Sequence, residues 1–194
     1  MKITQLQDIK KLYFGYEDVA RAFGITAQSA KVTLNRYLKQ GLLIRVKRNI
    51  YILKEKWKNL DREQKFVIAN IVQVHSYISL MTALDYYEIT TQMQHDYIEY
   101  IAVKRTKGIE INQTVFNYSK ISVASYCGFL RMRDFFIATP EKAFIDAVYL
   151  RSLGRYNFDI SSIDFDKLNK QKIGLLIKSF PMKVENYLTK IMNG

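Results

Sequence analysis

The sequence is short of cysteine, histidine, proline and glycine, and each shortage excludes a class of protein. Its 194 residues include one cysteine, two histidines, two prolines and eight glycines. The lone Cys127 excludes an intramolecular disulfide and favours a reducing compartment. Two histidines and one cysteine are too few for the usual structural zinc site. With so little proline and glycine, we expect no long flexible linker.

Long apolar runs and the signatures of common enzymes are missing as well. No stretch is long enough to cross a bilayer, and no apolar segment of a secretory signal follows the first residues. We therefore expect a cytoplasmic protein that makes no contact with a membrane. Because no Gly-rich phosphate loop, dinucleotide turn or nucleophile elbow is present, we expect no catalytic residue, no cofactor and no bound metal.

One acid, Asp146, has two interpretations. It lies on a helix predicted to follow Pro140, where it is either a catalytic carboxylate or a buried acid. We favour the buried acid, satisfied by the backbone or by an arginine, because buried carboxylates need partners in any fold.

Positive charge is plentiful and unevenly distributed. The formal net charge is +12. Residues 1–60 contain thirteen basic and four acidic residues, which leaves +9, whereas residues 61–194 contain seventeen basic and fourteen acidic residues, which leaves +3. A positive potential concentrated in one small segment attracts polyanions, and nucleic acid is the first of these to consider.

The N-terminal segment has the pattern of a helix-turn-helix. Apolar residues at helical spacing predict a first amphipathic helix, with Ile3, Leu6, Ile9 and Leu12 on one side. A second helix is predicted over 16–23, followed by Gly24 at a position that favours left-handed backbone. A third runs from Thr26, whose hydroxyl can cap it, to Lys39. These three helices and the intervening turn define the motif.

A cationic hairpin is predicted directly after the third helix. Strands over 42–46 and 50–53 flank a turn over 47–49, in which Asn49 tolerates positive φ. The hairpin is therefore a wing, and amide, hydroxyl and cationic side chains on the outward face of the third helix suit contacts with phosphates and base edges. The predicted DNA contacts are Gln28, Ser29, Lys31, Asn35, Arg36, Arg45, Lys47 and Arg48. The alternative is a winged helix that contacts only protein.

The remainder of the chain predicts an α+β domain. A linking helix is expected over 62–75 and a Ser-capped short helix over 77–87. Alternating apolar residues predict strands over 97–103, 108–111, 114–118 and 135–138. Thr139-Pro140-Glu141 has the hydroxyl cap, first-position proline and early acid of a helix start, and two or three further helices follow from Ser161. We thus predict a winged helix-turn-helix over 1–60, then over 61–194 a small antiparallel sheet flanked by helices.

Four segments together resemble the AbiEi family, the antitoxins of type IV toxin–antitoxin, or abortive-infection, systems. They are the wing over 43–51, the segment Tyr77-Ile-Ser-Leu-x-Thr-Ala-Leu-x-Tyr-Tyr87, the segment 103–106 and, most specific, Ala138-Thr-Pro-Glu-Lys-Ala-x-x-Asp146. Together they extend over nearly the full length. Members usually have Gly at the wing tip, where this chain has Asn49. We expect little physical change, because Asn is the next-best residue at positive φ.

The resemblance implies a bifunctional protein. The winged helix of such antitoxins represses their own operon by binding inverted repeats in double-stranded DNA. The C-terminal domain neutralises a nucleotidyltransferase toxin without needing a stable protein–protein complex. By this likeness Lys104, Arg105 and Lys107 are candidates for the antitoxic surface, with a solvated turn as the alternative. Two other functions stay open: a solo transcriptional regulator with a ligand-sensing or dimerising C-terminal domain, and a nucleic-acid-processing enzyme.

Overall fold

The computed structural model describes residues 3–193 and divides the chain into two compact units. The division falls after Ile68, within a helix that runs from Arg62 to Val72. We call the part up to Ile68 the N-terminal unit and the part from Ala69 the C-terminal unit. The α+β class predicted from the sequence is confirmed.

The N-terminal unit is a winged helix-turn-helix. Its elements are α1 (Thr4–Gln7), α2 (Tyr16–Phe23), α3 (Ala27–Lys39), β1 (Leu43–Lys47), β2 (Ile50–Leu53), α4 (Lys54–Lys58) and the first part of α5 (Arg62–Val72). The turn between α2 and α3 contains Gly24 at φ 63°, in the left-handed region. The Thr26 hydroxyl accepts a hydrogen bond from the Ser29 N–H at 3.2 Å and so caps α3 as predicted.

The first helix is shorter than its apolar spacing predicts. It ends at Gln7, and Ile9 and Leu12 lie beyond it. The reason is a backbone pairing further along: the Phe14 N–H donates to the Tyr51 carbonyl at 3.0 Å, and the Tyr51 N–H donates to the Phe14 carbonyl at 2.9 Å. The backbone at Phe14 is therefore paired with β2 of the wing and is not part of a longer first helix.

The core of the N-terminal unit is formed where α2, α3 and the wing meet. Its buried members are Leu6, Phe14, Val19, Ala30, Leu34, Tyr37, Leu43 and Tyr51. Ala30, Leu34 and Tyr37 are the predicted inward face of α3, and all three are buried. Burying apolar area at about 25 cal/mol per Å² is the main force that fixes α3 in place. The opposite face of α3 is thereby left to solvent.

The C-terminal unit is built around a six-stranded sheet. Its elements are the last part of α5, β3 (Ser76–Ile78), α6 (Leu80–Tyr86), β4 (Tyr97–Ala102), β5 (Lys107–Ile111), β6 (Thr114–Lys120), β7 (Phe129–Met132), β8 (Phe135–Ala138), α7 (Pro140–Ser152), α8 (Lys170–Leu176) and α9 (Met182–Asn193). Short 3₁₀ turns occur at Val123–Ser125, Ile160–Ser162, Phe165–Lys167 and Ile177–Ser179.

This sheet is larger than predicted and mixed rather than antiparallel. The strand order is β5-β6-β4-β3-β8-β7. The β4–β6 and β3–β8 pairs are parallel, and the other three pairs are antiparallel. The predicted helix over 77–87 was wrong at its start, because Tyr77 and Ile78 belong to the central strand β3. Both are fully buried, and a three-residue buried strand has no alternation by which to recognise it.

Helix α7 is buried on all its faces along most of its length. Its start is as predicted: the Thr139 hydroxyl accepts a hydrogen bond from the Lys142 N–H at 3.3 Å, and Pro140 takes the first position. Every residue from Glu141 to Val148 is buried. A helix that is buried on all sides packs as the centre of a unit and not as its surface.

Candidate nucleic-acid interface

The outward face of α3 is exposed and has no carboxylate. Gln28, Ser29, Lys31, Asn35 and Arg36 are all exposed, as their alternation with the buried residues predicts. Ser29 also takes part in capping α3: its N–H donates to the Thr26 hydroxyl, and its own hydroxyl oxygen accepts from that hydroxyl. The other four side chains extend from the helix face with amide or cationic ends. Such a face can lie against phosphates and base edges.

The wing adds a second cationic surface from strands β1 and β2. The two strands pair antiparallel, with an irregularity between Arg45 and Lys47, and the turn residue Asn49 has φ 59°. Arg45, Lys47 and Arg48 are all exposed. The hairpin therefore presents three cations at and beside its tip, in the order that the sequence predicts.

A hollow lies between α3 and the wing. Its volume is about 550 Å³, and its lining consists of Tyr16, Lys31, Asn35, Arg45, Arg48, Asn49 and Tyr51. Four of the eight predicted contacts, Lys31, Asn35, Arg45 and Arg48, are thus brought together. The other four, Gln28, Ser29, Arg36 and Lys47, are exposed outside this lining. Three cations and no acid line the hollow, which suits a phosphate or another anionic group.

Asn49 connects the wing to the start of α2. Its Oδ1 accepts a hydrogen bond from the Tyr16 N–H at 2.8 Å, and its Nδ2 donates to Glu17 Oε2 at 2.9 Å. Tyr16 is the first residue of α2, where backbone N–H groups have no partner within the helix. The wing tip therefore caps α2 from 33 residues away. The expectation that Asn in place of Gly changes little is corrected, because the side chain makes two bonds that glycine cannot.

The electrostatics of the hollow depend on the same contacts. The Lys31 ammonium lies 4.4 Å from the centre of the Tyr16 ring, a cation–π contact that holds this lysine at the rim. The hydrogen bond from Asn49 holds the pKa of the Glu17 carboxyl below its usual value. Glu17 therefore stays ionised at neutral pH, where it accepts the hydrogen bond from the Asn49 amide.

The sequence reasoning missed Tyr16 and the side chain of Asn49. Tyr16 contributes its ring to the lining and to the Lys31 contact. In the sequence Tyr16 reads only as an apolar residue at the start of a predicted helix. No local pattern relates it to Asn49 in the wing, 33 residues further on. The pairing of Phe14 with Tyr51 places the two elements side by side. That long-range bridge has no local sequence signal.

In the C-terminal unit the candidate antitoxic residues lie around one connection. Lys104 and Arg105 are exposed between β4 and β5, and Lys107 begins β5. The Lys107 ammonium lies 5.4 Å from the centre of the Tyr118 ring, so this side chain is only half-exposed. The three are close along the chain, and the structure places them at one end of the sheet.

Asp146 is a buried acid, as favoured, but its partners differ from those predicted. Lys142, one turn earlier on α7, forms an ion pair with it, and both side chains are fully buried. The hydroxyls of Tyr77 and Ser79 donate to Asp146 Oδ2 at 3.0 and 2.8 Å. A lysine and two hydroxyls replace the expected arginine or backbone. Since all four side chains are inaccessible, Asp146 cannot touch a substrate.

Residues 3–193 contain neither a candidate metal site nor a candidate membrane-spanning helix. No group of three or more His, Cys, Asp or Glu residues is arranged to hold a metal ion in this part of the chain. None of its helices combines the length and apolar character that crossing a membrane requires.

The fold and the hollow define a winged helix-turn-helix followed by an α+β unit with a mixed sheet. Residues 1–54 match the family model of a transcriptional regulator, the AbiEi antitoxin. The resemblance to AbiEi antitoxins is therefore confirmed over the N-terminal part of the chain. No curated protein matches the sequence.

A solved structure extends the likeness of fold to the whole chain. The crystal structure of the RV2827C protein from Mycobacterium tuberculosis matches with a TM-score of 0.64, over 98% of this chain and 74% of that one. The sequence identity is 7%. At that identity the match shows a common fold and nothing about function.

Proposed function

We propose that the chain is an antitoxin that represses its own operon, with DNA binding carried out by the N-terminal unit. The observation behind this proposal is the hollow in which Lys31, Asn35, Arg45 and Arg48 converge from α3 and the wing. A recognition helix in the major groove and a wing on the adjacent backbone is the docking mode of this motif. The match of residues 1–54 to a transcriptional-regulator family supports it.

Within the interface, the two elements have different tasks. Arg45, Lys47 and Arg48 contact phosphates, which position the protein without reading sequence. Asn35 and Gln28 reach base edges, where an amide can pair bidentately with adenine, and Arg36 suits guanine. The ligand is double-stranded DNA with inverted repeats at the chain's own promoter.

The helix variant Asn35→Ala tests sequence readout. We expect it to change the preferred sequence at one position of each half-site, at a cost of about 1–3 kcal/mol for the preferred base. Selection of bound duplexes from a randomised library measures this preference for the parent and the variant. Lys39→Ala, on the same helix, is the control. Unchanged selection by Asn35→Ala would remove this residue from the readout.

The antitoxic part of the proposal concerns the C-terminal unit and a nucleotidyltransferase toxin. The resemblance of segments 77–87 and 138–146 to AbiEi antitoxins supports it, without requiring a stable complex. Co-expression with a nucleotidyltransferase encoded by an adjacent gene tests it, scored as growth rescue. Rescue by a wing variant that no longer binds DNA assigns antitoxicity to the C-terminal unit. Absence of a toxin gene, or of rescue, favours the alternative of a solo regulator.

A further inference from the structure

The C-terminal unit has a second cationic surface, formed by three segments that are distant in sequence. They are the β4–β5 connection, the end of β6 and the residues after α7. The surface, which we call the sheet-end cluster, consists of Lys104, Arg105, Lys107, Lys120 and Arg155. The register pairs Ala102 with Lys120 and Lys107 with Tyr118, which brings the end of β6 to the β4–β5 connection.

Hydrogen bonds join the three segments around Thr106. The Arg155 guanidinium donates to Thr106 Oγ1 at 3.1 Å and to the Lys120 carbonyl at 3.4 Å. The Lys120 N–H donates to the same Thr106 hydroxyl at 3.0 Å. The buried Gln73 amide donates to the Arg105 carbonyl at 3.3 Å. These bonds fix the backbone from which the cations extend, so the cluster is ordered before any ligand arrives.

Four of the five cations in the sheet-end cluster are exposed and have no acid near them in sequence. No Asp or Glu occurs in 100–109, 117–133 or 147–158, the stretches that contain the five cations. Lys104, Arg105, Lys120 and Arg155 are exposed, and none of these four forms an ion pair with another described residue. Four exposed positive charges from three neighbouring segments create a local potential that attracts an extended polyanion.

Base stacking does not fit this surface. The aromatic residues nearest to it in sequence are Tyr118, which is buried, and Tyr156, which is half-buried and donates its hydroxyl to Glu99. Single-stranded nucleic acid is usually bound by exposed aromatic rings together with cations. Cations without such rings suit a phosphodiester backbone, as in a helical DNA or RNA segment.

We propose that the sheet-end cluster is a second nucleic-acid site, which binds the phosphodiester backbone of a base-paired segment independently of sequence. It rests on the charges and contacts of the C-terminal unit, and not on operator binding by the winged helix. Through this site the C-terminal unit, for which we propose antitoxicity, would itself bind nucleic acid.

The test uses the full chain with Arg45→Ala and Arg48→Ala, so that the winged helix does not mask the second site. In that background, Lys104→Ala, Arg105→Ala and Lys120→Ala remove three exposed cations of the cluster. The control removes the same charge from α8 and α9, as Lys172→Ala, Lys183→Ala and Lys190→Ala. The probes are an RNA hairpin and a DNA hairpin of equal length and unrelated sequence, titrated at several salt concentrations.

We expect the cluster variant to bind about tenfold more weakly than the control variant. The slope of log affinity against log salt concentration should become less steep by nearly three, since three phosphate contacts are lost and each contributes close to one. If the cluster variant binds both hairpins more weakly, the site recognises the phosphodiester backbone that they share. If it binds only one of them more weakly, that nucleic acid is the ligand. Exchanging Lys104 and Lys120 for arginine should preserve binding. Equal weakening in the cluster and control variants would overturn the proposal, because net charge alone would then account for it.

Discussion

At the level of single residues, the C-terminal unit stabilises two of its buried carboxylates, Asp146 and Glu99, in different ways. Asp146 has a buried counter-ion in Lys142 as well as two hydroxyl donors. Glu99 accepts hydrogen bonds from the Met81 N–H and the Tyr156 hydroxyl, both at its Oε2. Burial raises the pKa of Glu99 from its ordinary 4.5 to about 7. The two carboxylates therefore predict different responses to mutation and to pH.

The ion pair predicts strong coupling between Lys142 and Asp146. Asp146→Asn leaves a buried ammonium without its counter-ion, and Lys142→Met leaves a buried carboxylate without one. We expect each to lower the free energy of unfolding by about 3–5 kcal/mol. The double variant removes both charges and retains an acceptor for the hydroxyls of Tyr77 and Ser79. Urea unfolding should show that it is more stable than either single variant, whereas additive losses would contradict the pairing.

The raised pKa of Glu99 predicts that the folded protein loses stability as pH rises. Its pKa is higher in the folded than in the unfolded chain, so the folded state binds the proton more tightly. Its stabilising contribution is complete below pH 4.5 and decreases as pH rises through about 7, by about 3 kcal/mol in total. Glu99→Gln should flatten the dependence of thermal unfolding on pH across this window. An unchanged pH profile would show that Glu99 titrates normally.

At the level of elements, the hydrogen bonds of Asn49 fix the position of the wing relative to α2. Because α2 packs with α3 in one core, any displacement of the wing changes the distance from Arg45 and Arg48 to Lys31 and Asn35. The turn and the cap thus determine the shape of the hollow. A test of this role must remove the hydrogen bonds of Asn49 while keeping a residue that tolerates positive φ, as Asn and Gly both do.

Asn49→Gly keeps the turn and removes both hydrogen bonds. We expect it to cost about 1 kcal/mol of stability, because the hydrogen bonds to Tyr16 and Glu17 are lost, and to weaken DNA binding several-fold. Asn49→Asp keeps an acceptor for the Tyr16 N–H but places a second carboxylate beside Glu17. It should retain most of the stability and bind DNA more weakly still. If Asn49→Gly matches the parent in thermal unfolding and DNA titration, the wing needs no such support.

At the level of the whole molecule, local signals predicted the winged helix better than the C-terminal sheet. Gly24, Thr26 and Pro140 define helix ends through backbone chemistry that acts within a few residues. Strand β3 and the parallel pairings depend on packing between distant segments, so they have no local pattern. The same holds for the hollow. Helical periodicity predicted the exposure of Lys31, and the predicted hairpin that of Arg45 and Arg48, whereas the contacts of Tyr16 and Asn49 arise only from the bridge between Phe14 and β2.

The central claim is that the hollow between α3 and the wing contacts the phosphates of a DNA duplex. The most direct measurement is the salt dependence of binding to the chain's own promoter, for the parent, for Arg45→Ala with Arg48→Ala, and for Lys183→Ala with Lys190→Ala as a control of equal charge. We predict that the wing variant reduces the log–log slope by about two, since each neutralised phosphate contributes about −0.9, while the control keeps the parent slope. Identical slopes for the wing variant and the parent would contradict the account.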